Sequence, residues 1–87
     1  MQKFMIISPH TMQECKQVVK LTLAAGYLSH FEWGCKSGDH NGYAMIEAES
    51  EQQALLSIPT VVRHKGRAIG VAEFDPKDVE TWDVTHT

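Results

Sequence analysis

The side chains best equipped for chemistry are His10, Cys15, Cys35, Asp39 and His40. Imidazole and thiolate together suit zinc, copper or nickel. They make His10, Cys35 and His40 candidate ligands of a transition metal such as zinc, with Asp39 a further ligand or a partner that orients one. Four residues separate His10 from Cys15, and four separate Cys35 from His40, which is not the spacing of a standard zinc motif. The plainer reading is a turn whose Ser, Gly, Asp, Asn and His residues serve loop geometry, beside thiols that simply pack. That reading is strongest for Cys15, which falls in the apolar stripe of a predicted helix, where a thiol behaves as a small hydrophobe. A variant makes Cys35 a redox-sensing thiolate whose pKa Lys36 and His40 lower. Its place on one face with Phe31 and Trp33 predicts burial instead.

A second group points to pocket chemistry. His30 and Glu32 share one face of a predicted strand, and Tyr43, Met45 and Glu47 share a face of the next. A histidine beside carboxylates serves as general acid or base near neutral pH, so His30 and Glu32 are the candidate catalytic pair. Tyr43, Glu47 and Asp39 are the candidate ligand-binding groups. A third group joins the loop Ser37-Gly38-Asp39-His40-Asn41-Gly42 with Arg63, His64, Lys65 and Arg67 as an anion site. The loop lacks the phosphate-cradling Gly-rich pattern, and a charge run of this kind is more often a solvated turn.

The elements that must position these groups follow from periodicity and punctuation. Residues 3–8 are apolar and β-forming, and Pro9 ends the run, which predicts a strand. Thr11-Met12-Gln13-Glu14 has the form of a capping box, and Met12, Cys15, Val18, Val19, Thr22 and Leu23 fall on one face of the helix it would open. Residues 29–35 alternate as a half-buried strand, residues 36–42 form a long loop, and residues 43–49 form a third strand. A second capping box at Ser50 opens a helix that Pro59 stops. Residues 67–74 read as a fourth strand, and Asp75-Pro76-Lys77-Asp78 starts a short helix reaching about Trp82.

The order β-α-β-β-α-β is the split βαβ arrangement of ferredoxin-like α+β domains, in which two helices cover one face of a four-stranded antiparallel sheet. That topology gathers His10, Cys35, Asp39, His40, Arg63, His64 and Lys65 at one edge, with Cys15 a turn below. It sends His30 and His86 elsewhere.

A chain of 87 residues has room for one domain, 1–87, and buries only about 60–65% of its unfolded surface. A partner subunit is therefore expected, as a homodimer or higher oligomer formed on the open sheet face. Eight Lys and Arg against eleven Asp and Glu lack the basic surplus that nucleic acid needs. No apolar run approaches the roughly 18 residues of a membrane span, and no signal-peptide core is complete, so no membrane is expected and the cytoplasm is. Two cysteines are too few for a disulfide framework and read as free thiols.

The β-α-β-β-α-β layout with apolar residues on both faces of its strands resembles the dimeric α+β barrel superfamily. More narrowly, Ile7 to Thr11 (ISPHT), Phe31 to Tyr43 (FEWGCKSGDHNGY) and Glu47 to Leu55 (EAESEQQAL) resemble a group of short uncharacterised prokaryotic proteins. The resemblance implies two sheets closing into one barrel. No catalytic motif of the superfamily's isomerases, monooxygenases or haem-degrading enzymes is matched residue by residue, so no activity carries over. The expected function is small-molecule binding or pocket chemistry in the barrel. The alternatives are metal binding at the strand-end edge and a non-catalytic interaction module.

Overall fold

A computed structural model describes residues 1–84. It is an α+β structure with one four-stranded antiparallel sheet. The strands are β1 (Gln2–Pro9), β2 (Phe31–Trp33), β3 (Asn41–Ala48) and β4 (Arg67–Val71), in the spatial order β2-β3-β1-β4. The helices are α1 (Cys15–Ala24), α2 (Glu51–Leu55), α3 (Thr60–Arg63) and α4 (Pro76–Glu80).

Strand alternation divides the sheet into two faces. Phe4, Ile6 and Ser8 of β1 and Gly42, Ala44 and Ala48 of β3 are buried with Val18, Thr22, Ala54 and Val62 from the helices and Ile58 from the α2–α3 connection. Each large apolar side chain buried here contributes about 1.5–3 kcal/mol. The buried polar groups of the helix layer are satisfied locally: Thr22 Oγ1 donates to the Val18 carbonyl at 2.7 Å, and Ser57 Oγ to the Ala54 carbonyl at 2.8 Å. The other face carries Met5, Tyr43, Met45 and Ile69, each 37–47% exposed.

Several boundaries differ from those the sequence predicts. The Thr11–Glu14 box forms its reciprocal bonds, with the Thr11 N–H donating to Glu14 Oε1 at 2.9 Å and the Glu14 N–H to Thr11 Oγ1 at 3.2 Å. It closes a turn rather than a helical one, so α1 begins at Cys15 and that residue stands at the helix start, not in mid-stripe. Strand β2 is three residues long. A 3-10 turn over Leu28–His30 precedes it and another over Cys35–Ser37 follows, which takes both His30 and Cys35 off the strand. Helix α2 ends at Leu55, ahead of Pro59, and Pro59, with φ −54° and ψ 143°, instead leads into α3, a turn of helix that the sequence does not predict. Strand β4 ends at Val71, opposite Lys3, rather than at Phe74, although Gln2 of β1 continues one residue past that pair.

Candidate metal centre

Parity places the two histidines. Phe4, Ile6, Ser8 and His10 are successive even positions, so His10 continues the helix-covered face just past the end of β1. His40 stands in the same relation to Gly42, Ala44 and Ala48 of β3. Pro9 pairs with Asn41, and the His10 N–H donates to the His40 carbonyl at 3.0 Å, so the two histidines face each other across the sheet end. Their ring centroids are 6.2 Å apart.

The 3-10 turn after β2 supplies Cys35. Gly38, at φ +84°, ends that turn in the left-handed region, where a side chain would cost about 1–2 kcal/mol, and the chain returns to His40. The Gly34 carbonyl accepts from the Asp39 N–H at 3.0 Å, and the Gly34 N–H donates to the Asn41 carbonyl at 3.0 Å, which fixes the loop. A distance of about 10 Å between the backbones of β1 and β2, with β3 between them, argues against a shared site for strand residues. The site closes because His10 lies past the end of β1 and Cys35 lies on the turn past the end of β2.

His10 Nε2 lies 3.1 Å from Cys35 Sγ, and Cys15 Sγ lies 2.8 Å from the same sulfur. Each of His10, Cys35 and His40 offers one donor atom, and those atoms lie within 4.8 Å of one another. A zinc tetrahedron built on bonds of about 2.3 Å to sulfur and 2.0–2.1 Å to nitrogen has edges of about 3.3–3.8 Å. The two sulfurs would therefore part by about 1 Å and the imidazoles swing by a similar amount. Side-chain torsions supply movements of that size.

Burial and electrostatics favour a ligand role. Among the described residues, the buried side-chain nitrogen and oxygen atoms without a hydrogen-bond partner are Ser8 Oγ, His10 Nδ1, Trp33 Nε1 and His40 Nδ1. All four belong to the site end of the sheet, where Ser8 and Trp33 both pair with Gly42. An orphaned buried polar atom costs about 1–3 kcal/mol, so this end of the sheet gathers the unsatisfied polar groups of a core otherwise satisfied. Burial, followed by the Cys15 contact, pushes the Cys35 thiol up to about 11. That overturns the reading in which Lys36 and His40 make it a reactive thiolate. A metal ion reverses this logic by deprotonating the thiols it binds.

The remaining candidates separate. Asp39 accepts from the Tyr43 hydroxyl at 2.5 Å and from the Asn41 amide, and these bonds hold its carboxyl below the ordinary aspartate range. The same bond raises the Tyr43 hydroxyl. Asp39 is thus committed to Tyr43 and Asn41 and bears on the site as a nearby negative charge, adding to neither ligand set. His30, Glu32 and Tyr43 line one shallow depression of about 230 Å³ with Met5 and Met45, while Glu47 lines a separate groove with His30. Lys65 pairs with Glu14 at 3.2 Å, which brings the loop before β4 to the start of α1. Arg63 Nε donates to the Ile58 carbonyl at 2.9 Å, so that guanidinium serves the α2–α3 connection rather than an anion nest. His86 lies outside the described residues.

Cys15, which the sequence places a turn below this edge as a packing thiol, instead touches Cys35 directly. The signal was present in the box itself: if Thr11 to Glu14 close a turn, the next residue opens the helix at the sheet edge. No family model matches the chain, and neither a curated protein nor a solved structure matches it. Among the described residues no helix is long and apolar enough to cross a membrane.

Proposed function

We propose that the protein holds one transition-metal ion, with zinc the best chemical match, through His10, Cys35 and His40, and that Cys15 completes the set. The observation that carries this reading is the convergence of one donor atom each from His10, Cys35 and His40 within 4.8 Å, with His10 Nε2 3.1 Å from Cys35 Sγ. Two thiolates and two neutral imidazoles neutralise a divalent ion, so the loaded centre is buried without net charge. A tetrahedral S₂N₂ set favours zinc over metals that prefer square or octahedral fields. Four protein ligands also leave no open position, which makes the centre a structural or metal-holding one rather than a catalytic one. Two free thiols 2.8 Å apart suit a reducing compartment such as the cytoplasm.

X-ray absorption on zinc-loaded protein tests the assignment. The expected first shell is two sulfurs at about 2.3 Å and two nitrogens at about 2.0–2.1 Å. A shell of light atoms alone would overturn it.

The open face supports a second reading, a ferredoxin-like fold that closes as a homodimeric α+β barrel around a small molecule. It rests on the strand order β2-β3-β1-β4, the apolar exposure of Met5, Met45 and Ile69, and the meeting of His30, Glu32 and Tyr43 in one depression. Glu32, Tyr43, Ile7 and Arg67 form one row across that face, with opposite charges at its two ends. A two-fold axis parallel to the strands sets Glu32 of one copy against Arg67 of the other. Sedimentation equilibrium tests the dimer, and a ligand screen read by thermal shift tests the depression.

A further inference from the structure

Residues 72–84 follow β4, and every one of them is exposed. They are nonetheless organised. Asp75 caps α4 by accepting from the Lys77 N–H at 2.9 Å, and Phe74 packs edge-on against Trp82 with centroids 5.1 Å apart. Phe74 remains 68% exposed, Trp82 51% and Val79 42%. A five-residue helix has no independent stability in water, so its order depends on what its apolar side meets.

The overall dimensions say the same. The radius of gyration is 16.1 Å, against about 12 Å for a compact chain of this length, and the longest extent is 50 Å. The accessible surface is 6343 Å², against about 5200 Å² for a compact monomer of 9.8 kDa. The excess, about 1200 Å², exceeds the roughly 800 Å² that each partner buries in a standard interface.

We infer that residues 72–84 are an exchanged arm, and that the Phe74–Trp82 pair of each copy docks into a groove on a second copy of this chain. This rests on the homodimer reading above. The groove, of about 660 Å³, is lined by Lys3, Tyr27, His30, Met45, Glu47 and neighbouring residues. It lies where β3 runs past β2, whose pairing stops at Phe31 opposite Ala44, so the outer edge of residues 45–48 has no strand beside it.

Position is the main argument. Val71 pairs with Lys3, and Lys3 pairs with Glu47, so the arm leaves the sheet at the same end as the groove. It leaves from the β4 edge, whereas the groove opens at the β2 edge. The two-fold that brings Glu32 against Arg67 keeps the ends of the sheets together and exchanges their edges, and so carries each arm to the other copy's groove. Residues 72–84 hold five carboxylates and one lysine; Lys3, which lies 3.7 Å from Glu73 at the base of its own arm, lines the groove with His30 and Glu47. The exchange is reciprocal, so it closes at two copies and leaves no surface for a filament.

Two measurements on the full-length chain test the exchange. In a Trp33→Phe variant Trp82 is the one remaining tryptophan. Its emission is expected to be blue-shifted where the protein is dimeric and to move red on dilution, in step with the dimer fraction seen by sedimentation. Phe74→Ser and Trp82→Ser, made singly in the native background, are each expected to raise the dimer dissociation constant about 10- to 100-fold. A dimer indifferent to both substitutions, with Trp82 emitting as a solvated indole, overturns the exchange and leaves the face-to-face dimer standing. Trp82 emission that is blue at every dilution in a monomer places the arm on its own chain and overturns the exchange. A monomer at all concentrations with Trp82 solvated overturns both readings.

Discussion

Replacing Cys15 by serine separates a closed four-ligand centre from a three-ligand one. Cys15 Sγ touches Cys35 Sγ at 2.8 Å from the first turn of α1, a place where the helix N-terminus favours negative charge. Structural zinc binds with about 10–16 kcal/mol at neutral pH, so an equal share among four ligands is about 2.5–4 kcal/mol each. At 1.36 kcal/mol per decade, loss of one thiolate lowers zinc affinity about 70- to 900-fold. Serine keeps the shape of the side chain but not the soft anion, so the fold is retained and the ligand is lost. The assay is competition against a colorimetric chelator of known zinc affinity, with Cys35→Ser measured beside it. Both variants are expected to fall by comparable factors. If Cys15→Ser binds within about threefold of the native protein while Cys35→Ser collapses, Cys15 is a packing thiol. The centre then has three protein ligands and an open position, and the closed-site reasoning is wrong.

Three further outcomes follow from the same geometry. A Cβ at Gly34 would lie 2.7 Å from the Asp39 carbonyl oxygen and 2.8 Å from Asp39 Cβ, so Gly34→Ala should push the loop carrying His40, cost about 1–3 kcal/mol in urea unfolding and weaken zinc binding. Asp39→Asn removes a nearby charge but no ligand, so zinc affinity in the chelator assay should change by less than about tenfold. Finally, the Cys35 thiol is raised from 9.0 to about 11 in the folded chain, so the unfolded chain loses that proton first. The stability it contributes is complete below pH 9 and lost as pH climbs toward 11. Metal-free protein should therefore show a falling midpoint in urea over that window. The Tyr43 hydroxyl is also raised and titrates above 10, so the readout is the flatter profile expected of Cys35→Ser.

The strands of the sheet were readable because alternation and punctuation agree along β1 and β3, where even positions from Phe4 to Ser8 and from Gly42 to Ala48 turn toward the helices. The sequence brings His10 and His40 to one edge through strand direction, and the structure adds that both continue the parity of the helix-covered face. Pairing partners were not readable. Alternation over residues 29–35 looks like a seven-residue strand, yet β2 is confined to Phe31–Trp33 by 3-10 turns on either side. Residues 72–74 leave the sheet although Gln2 of β1 stands one residue past the last pair, and Ala72 and Glu73 are weaker strand formers than Ile69 and Val71. Cys15 was misjudged for a related reason. A capping box and a free turn share the same reciprocal bonds, and the difference of one turn moves a thiol from an apolar stripe to the site.

Metal binding by His10, Cys35 and His40 is open to direct measurement. Plasma mass spectrometry on protein purified without an affinity tag tests it most directly, comparing the native chain with a His10→Ala, His40→Ala double variant whose fold is checked by circular dichroism. Close to one zinc ion per chain is expected in the native protein and none in the folded variant. Metal absent from the native protein even after incubation with zinc and desalting, or retained undiminished in the variant, would contradict it.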